Sequence, residues 1–286
     1  MRRSNRVKAA AVAGIATVLA SLVVGLAAAS ADPTGDYAPF KECPYASLPV
    51  DDCFYGLIDG GSLTIGTKTI PVVNPITLQG GYTGSFTGLV FHGAKNGDTL
   101  SKTPQPVPGG LLGVTPPPSW PQALKEALEE AIEEGLTGVT ATVELAASAT
   151  SIVLDYEALL EQTGTALGLP VKIKLANPFL GSNCYIGSNA EPIELELTTG
   201  KSGALDGSAG TLSFDDDFTI VTLHGIELVD SSFEVPGANG CGGVYSSYVD
   251  PLVESIFGVP AASGNAADLE ADFEDSSAAE VDAHDP

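Results

Sequence analysis

Apolar residues along most of this chain come in short runs, and many of them alternate with polar ones. Val139, Ala141, Val143 and Leu145 are separated by Thr140, Thr142 and Glu144, and Ile193-Glu194-Leu195-Glu196-Leu197 alternates strictly. A period of two gives a strand one buried face and one solvated face. Similar runs recur at Leu63 to Ile65, Thr69 to Val73, Ile76 to Leu78, Tyr82 to Phe91 and Ile152 to Tyr156. Leu169 to Leu175, Thr211 to Phe214, Phe218 to Leu223 and Ile226 to Val229 continue the series. Pro71 and Pro75 mark edge or irregular strands, because proline cannot donate to a ladder. Asn96-Gly97 reads as a turn, since this pair readily takes positive φ. Many short strands between Gly- and Pro-rich turns predict a mainly β fold, a β-sandwich or partly open barrel with two short helices.

The first helix is expected over Ser119 to Glu134. Ser119 is the candidate cap, Pro121 suits the first turn, and Gly135 suits the end. Ala123, Leu124, Ala127, Leu128, Ala131 and Ile132 form one apolar stripe, and glutamates cover the remaining faces. Those glutamates read as a solvated helix surface rather than as acid–base catalysts. A closing helix is expected within Val244 to Phe257, where Val249, Leu252, Val253, Ile256 and Phe257 share a face. Pro251 places its start near Asp250. Residues 103–118 hold six prolines and three glycines, a spacer that reads as an excursion on one domain rather than a boundary.

From Ala261 onward the chain is dominated by Ala, Ser, Asp and Glu. Residues 261–286 are therefore expected to form a disordered acidic tail whose removal leaves stability unchanged. Leu269 and Phe273 are spaced like one turn of a helix that binding could induce. The folded domain is accordingly placed at 32–260.

The first 31 residues read as a signal peptide. Arg2, Arg3, Arg6 and Lys8 precede an apolar run from Ala9 to Ala29, and Ala29-Ser30-Ala31 is a small-x-small cleavage site. Export places the chain outside the cell, free or associated with the cell wall. The whole chain carries 12 basic and 36 acidic residues, a net charge of −24. Cleavage after Ala31 removes four bases and no acids, which leaves eight lysines and no arginine. Such a chain lacks the Lys/Arg clusters that phosphate backbones require, and anionic membranes repel it. Nucleic acid and, after cleavage, membrane are thus excluded as expected partners. Cell-wall components or another surface protein remain.

Four cysteines in an exported chain suggest two disulfides, for which three pairings exist. Cys43–Cys53 and Cys184–Cys241 are the preferred pairs. Cys184 and Cys241 lie in two Gly-rich stretches that read as halves of one bond. Each bond is worth about 2–4 kcal/mol. A zinc site is disfavoured, because there is no Cys-x-x-Cys pair and no histidine nearby.

Little else carries chemistry. His92 and His224 each follow a strand-like run, and His284 lies near the C-terminus. No Gly-x-Ser-x-Gly elbow accompanies them, and no phosphate-loop motif is present. Asp215-Asp216-Asp217 is the densest acidic run of the folded part, a set of oxygens that Ca²⁺ would accept. It departs from the Asp-x-Asp-x-Asp-Gly spacing and reads more readily as a solvated turn between Phe214 and Phe218. No other cofactor is expected.

Asp36-Tyr37-Ala38-Pro39-Phe40 with Cys43-Pro44, Thr103 to Gly110, Asn177 to Cys184 and Val235 to Cys241 together resemble a group of exported actinobacterial proteins. The resemblance spans about Asp32 to Pro260. It implies export and the same cysteine pairing, and it brings no catalytic residues to carry over. The sequence thus supports a secreted or envelope-associated structural or binding protein. The alternatives are a hydrolase built around His92, His224 or Asp215–Asp217, and a carrier of a small apolar ligand.

Overall fold

A computed structural model describes residues 32–85, 87–112, 114 and 116–285. The expected signal peptide, 1–31, lies outside the described residues. In chain order the longer strands are β1 (Asp52–Ile65), β2 (Lys68–Pro71), β3 (Ile76–Ser85), β4 (Thr87–Gly93), β5 (Thr140–Leu145) and β6 (Leu167–Asn177). They are followed by β7 (Gly181–Ile186), β8 (Ile193–Leu197), β9 (Thr211–Phe214), β10 (Ile220–Asp230) and β11 (Ala266–Ser277). The helices are α1 (Gln122–Glu133), α2 (Tyr156–Glu161), α3 (Ser246–Phe257) and α4 (Ala278–Ala283).

Among the described residues the strands form two antiparallel sheets of seven strands each, and Lys201–Ser202 pairs with Leu205–Asp206 as a separate two-stranded ribbon. In sheet 1 the order is β9-β10-β11-β1-β3-β4, and β2 joins the second half of β1. Sheet 2 is organised around β6, flanked by β5 and Val153–Leu154 on one side and by β7 and β8 on the other. Short pairings with Gln105–Pro106 and Ala238–Asn239 extend it. Both sheets keep free edges, so the fold is a sandwich and not a closed barrel.

The inner faces share one core. Phe54, Ile58, Ile76, Leu78 and Phe91 of sheet 1 pack with Leu169, Ile173 and Leu195 of sheet 2. A void of only about 50 Å³ lies between them. Strand β6 is buried along nearly its whole length, as a central strand covered on both faces must be. Helix α1 contributes Leu124 and Leu128, and α3 contributes Val249, Val253 and Phe257, to the same core.

The helix boundaries shift from expectation. Helix α1 starts at Gln122 with Pro121 in the cap position and no side-chain cap bond, and Gly135 follows it at φ 73°. Helix α3 starts at Ser246, so Pro251 lies inside it. Only one internal N–H donor is forfeited at Pro251, and the buried Val249-Val253-Phe257 stripe outweighs that loss.

The C-terminal segment corrects the sequence reading outright. The described part of the expected disordered tail 261–286, residues 261–285, is folded, and the domain runs through it. Strand β11 lies between β1 and β10 and pairs with both along most of its length. Ala267, Leu269, Ala271 and Phe273 are buried, while Asp268, Glu270, Asp272 and Glu274 occupy the opposite face. Leu269 and Phe273 therefore follow a strand period, not a helical one. On the outer face of sheet 1, the turn Gly35–Glu42 supplies Tyr37 and Phe40, and α4 supplies Ala278 and Val281. These close over Cys53 and Ile220 as a second, smaller core.

Both preferred disulfides are present, Cys43–Cys53 and Cys184–Cys241. The first fastens Gly35–Glu42 to the start of β1. The second joins β7 to the loop before α3. Disulfides of this kind belong to an oxidising compartment. Among the described residues, no helix is long and apolar enough to cross a membrane.

Candidate ligand-binding site

Strand register gathers the site. Phe214 of β9 pairs with Val221 of β10, Val221 with Asp275 of β11, and Asp275 with Phe54 of β1. One row of side chains thus crosses four strands on the inner face of sheet 1. In the next row Asp52 pairs with Tyr82 of β3 and with Ser277. Helix α2 stands over this end of the sheet and supplies Tyr156 and Leu160. Asp155 caps that helix by accepting from the Ala158 N–H at 3.0 Å, an arrangement that fixes the direction of its first turn.

Sheet and helix enclose an open cleft of about 670 Å³. Its walls are Leu160, Leu212, Phe214, Phe218, Val221 and Leu223, with Tyr82, Tyr156, Asp52 and Asp275 at the polar end. The β9–β10 hairpin forms the rim. There Phe214 is 50% and Phe218 is 77% exposed, and their rings lie 5.8 Å apart. Phe218 holds φ 58°, a left-handed conformation that few large side chains adopt.

At the polar end the Tyr156 hydroxyl donates to Asp275 Oδ2. The Tyr82 ring lies 6.1 Å from the Tyr156 ring, and its hydroxyl faces the same carboxyl group. Asp275 Oδ1 is shielded from solvent and has no hydrogen-bond partner. Burial pushes the Asp275 carboxyl up to about 7. The tyrosine hydroxyls oppose that rise, while Asp52 and Glu274 add to it. Desolvation, followed by the charge of Asp275, drives both tyrosine hydroxyls well above their ordinary range. Burial and Asp51 raise Asp52 as well. The tyrosines therefore keep their protons at neutral pH and act as hydrogen-bond donors, not as bases.

No family model, curated protein or solved structure matches this chain.

Of the residues singled out from the sequence, the histidines lie elsewhere, and Asp215–Asp217 sit in the turn of the hairpin that rims the cleft. His92 is on β4, within 3.2 Å of Thr83 Oγ1. His224 is on β10, and its Nδ1 lies 3.4 Å from Asp272 Oδ2 at the surface. Three strands separate β4 from β10, so the two histidines are at least roughly 19 Å apart at the usual inter-strand spacing. His284 stacks on Tyr37 with ring centroids 4.0 Å apart. It thereby helps to dock the C-terminus.

Asp215 closes the β9–β10 turn by accepting from the Thr219 N–H, the Thr219 hydroxyl and the Ile220 N–H at 2.7–2.8 Å. The Ile220 N–H foremost, with the Thr219 groups, holds its carboxyl below the usual range. Asp216 and Asp217 point into solvent. Among the described residues, no group of three His, Cys, Asp or Glu side chains is placed to hold a metal ion. The residues that do converge, Tyr82, Tyr156 and Asp275, belong to no local motif.

Proposed function

We propose that this protein is exported and binds a small, largely apolar molecule in the cleft between sheet 1 and α2. The carrier reading of the sequence thus takes precedence over a purely structural role. The observation that carries it is an open, apolar cleft of about 670 Å³ ending in a buried carboxyl group with an unused oxygen. Ligand sites commonly combine apolar walls with a few convergent polar groups. The space between the sheets is packed, so the ligand belongs at the end of the sandwich, not within it. Export agrees with the two disulfides and with the N-terminal pattern.

Titration with Nile red, an uncharged apolar dye, tests this reading. Wild-type protein should give saturable, blue-shifted emission. Leu160→Asp alters one half-exposed wall of the cleft and should abolish the signal without moving the unfolding transition. Equal saturable binding by Leu160→Asp would place the dye elsewhere and overturn the reading.

A further inference from the structure

Among the described residues the cleft is lined by acids and by no base. Asp52, Asp275 and Glu280 reach it, and no described lysine, arginine or histidine does. A ligand ending in a carboxylate or phosphate would meet three groups of its own sign. The Asp275 carboxyl lines the cleft with one oxygen served by Tyr156 and one, Oδ1, that no protein group serves. Buried polar oxygens are rarely left so. A donor arriving with the ligand supplies the missing bond, and a positively charged donor also offsets the charge that burial penalises.

Resting on the cleft being the ligand site, we infer that the ligand is a cationic amphiphile. Its ammonium group lies against the Asp275 carboxyl, and its apolar part lies along Leu160, Val221 and Leu223. The ammonium group has donors to spare for Asp275 Oδ1, and Asp52 and Glu280 add to the negative field around it. The Tyr156 hydroxyl holds the carboxyl in place from α2, and the Tyr82 hydroxyl faces it from β3. The groups that face Asp275 are therefore Asp52 on β1, Tyr82 on β3, Tyr156 on α2 and its strand neighbour Glu274. None of them is a cation, so the positive charge must come from the ligand. Entry of that charge favours the ionised carboxylate, and binding near neutral pH releases part of a proton to solvent.

Three probes with the same ten-carbon tail separate the possibilities. Decylamine, decanol and decanoate are titrated into the full-length exported protein at pH 7 by calorimetry, in two buffers of different ionisation enthalpy. Decylamine should bind at least tenfold tighter than decanol, with decanoate weakest, and only decylamine should release protons. Asp275→Asn should weaken decylamine tenfold or more and leave decanol within about twofold. Asp52→Asn keeps the Tyr156–Asp275 bond and should weaken decylamine several-fold. This second variant keeps the test open if Asp275→Asn folds poorly.

Decanol binding as tightly as decylamine would overturn the cationic head group and leave the apolar cleft intact. Unchanged decylamine affinity in both variants would overturn it too. Binding by none of the three probes would overturn the ligand site itself.

Discussion

Phe273 meets Phe54 edge to face, with ring centroids 5.1 Å apart and ring planes at 69°. One ring comes from the first strand of the domain and the other from the last. This contact places the acidic C-terminal segment at the centre of sheet 1. Removing residues 262–286 should therefore unfold the domain, because it strips β11 from between β1 and β10. Circular dichroism should show loss of the β signal. The point substitution Phe273→Ala should cost about 3–5 kcal/mol, as for other buried aromatics, read from denaturant unfolding. A truncated chain with an unchanged melting temperature would contradict this topology.

The two disulfides should differ in weight. Cys184–Cys241 spans 57 positions and Cys43–Cys53 spans 10. In the chain-entropy account the longer loop is worth about 4 kcal/mol and the shorter about 3 kcal/mol. The double variants Cys184→Ala/Cys241→Ala and Cys43→Ala/Cys53→Ala, compared by urea unfolding, should fall in that order. The reverse order would mean that anchoring Gly35–Glu42 over the second core matters more than loop length.

The C-terminal strand shows what a sequence conveys and what it hides. Ala267, Leu269, Ala271 and Phe273 alternate with Asp268, Glu270, Asp272 and Glu274, a strand signal in plain view. Two features obscured it. Half of the inward residues are alanines, which contribute little hydrophobicity, and a spacing of four suits both a helical turn and one face of a strand. The cysteine pairs were legible because four cysteines leave few choices. The cleft was not. Tyr82, Tyr156 and Asp275 are distant in sequence and meet only through strand register and the placement of α2. The histidines and the Asp215–Asp217 run stood out by residue type, yet Asp215 is occupied by its own turn and the histidines lie strands apart.

Buried Asp275 should leave a mark on stability as pH changes. Its folded pKa is raised to about 7, whereas an unfolded aspartate titrates near 4. Between these values the folded state holds a proton that the unfolded state lacks, so stability falls as pH rises. The contribution is fully present below about pH 4 and is lost by a little above pH 7. It amounts to no more than about 4 kcal/mol. Asp275→Asn stays neutral throughout. The stability difference, variant minus wild type, should therefore grow in favour of the variant from pH 4 to pH 8. Parallel profiles would show that Asp275 titrates normally.

The aromatic rim should matter for binding and not for folding. Phe214 and Phe218 are largely exposed, so replacing both by alanine should change unfolding free energy by less than about 1 kcal/mol. Nile red affinity should nevertheless fall several-fold, since the rim supplies apolar surface to a bound molecule. Unchanged dye affinity would confine the site to the deeper wall formed by Leu160, Val221 and Leu223.

Occupancy of the cleft above Asp275 by a ligand can be observed residue by residue. Methyl-resolved NMR of the protein titrated with decylamine tests it most directly. Saturable shifts are expected, centred on the methyl groups of Leu160, Leu212, Val221 and Leu223. Methyl groups between the sheets, such as those of Ile173 and Leu195, should stay in place. Shifts spread over the acidic surface, or centred away from α2 and the β9–β10 hairpin, would contradict it.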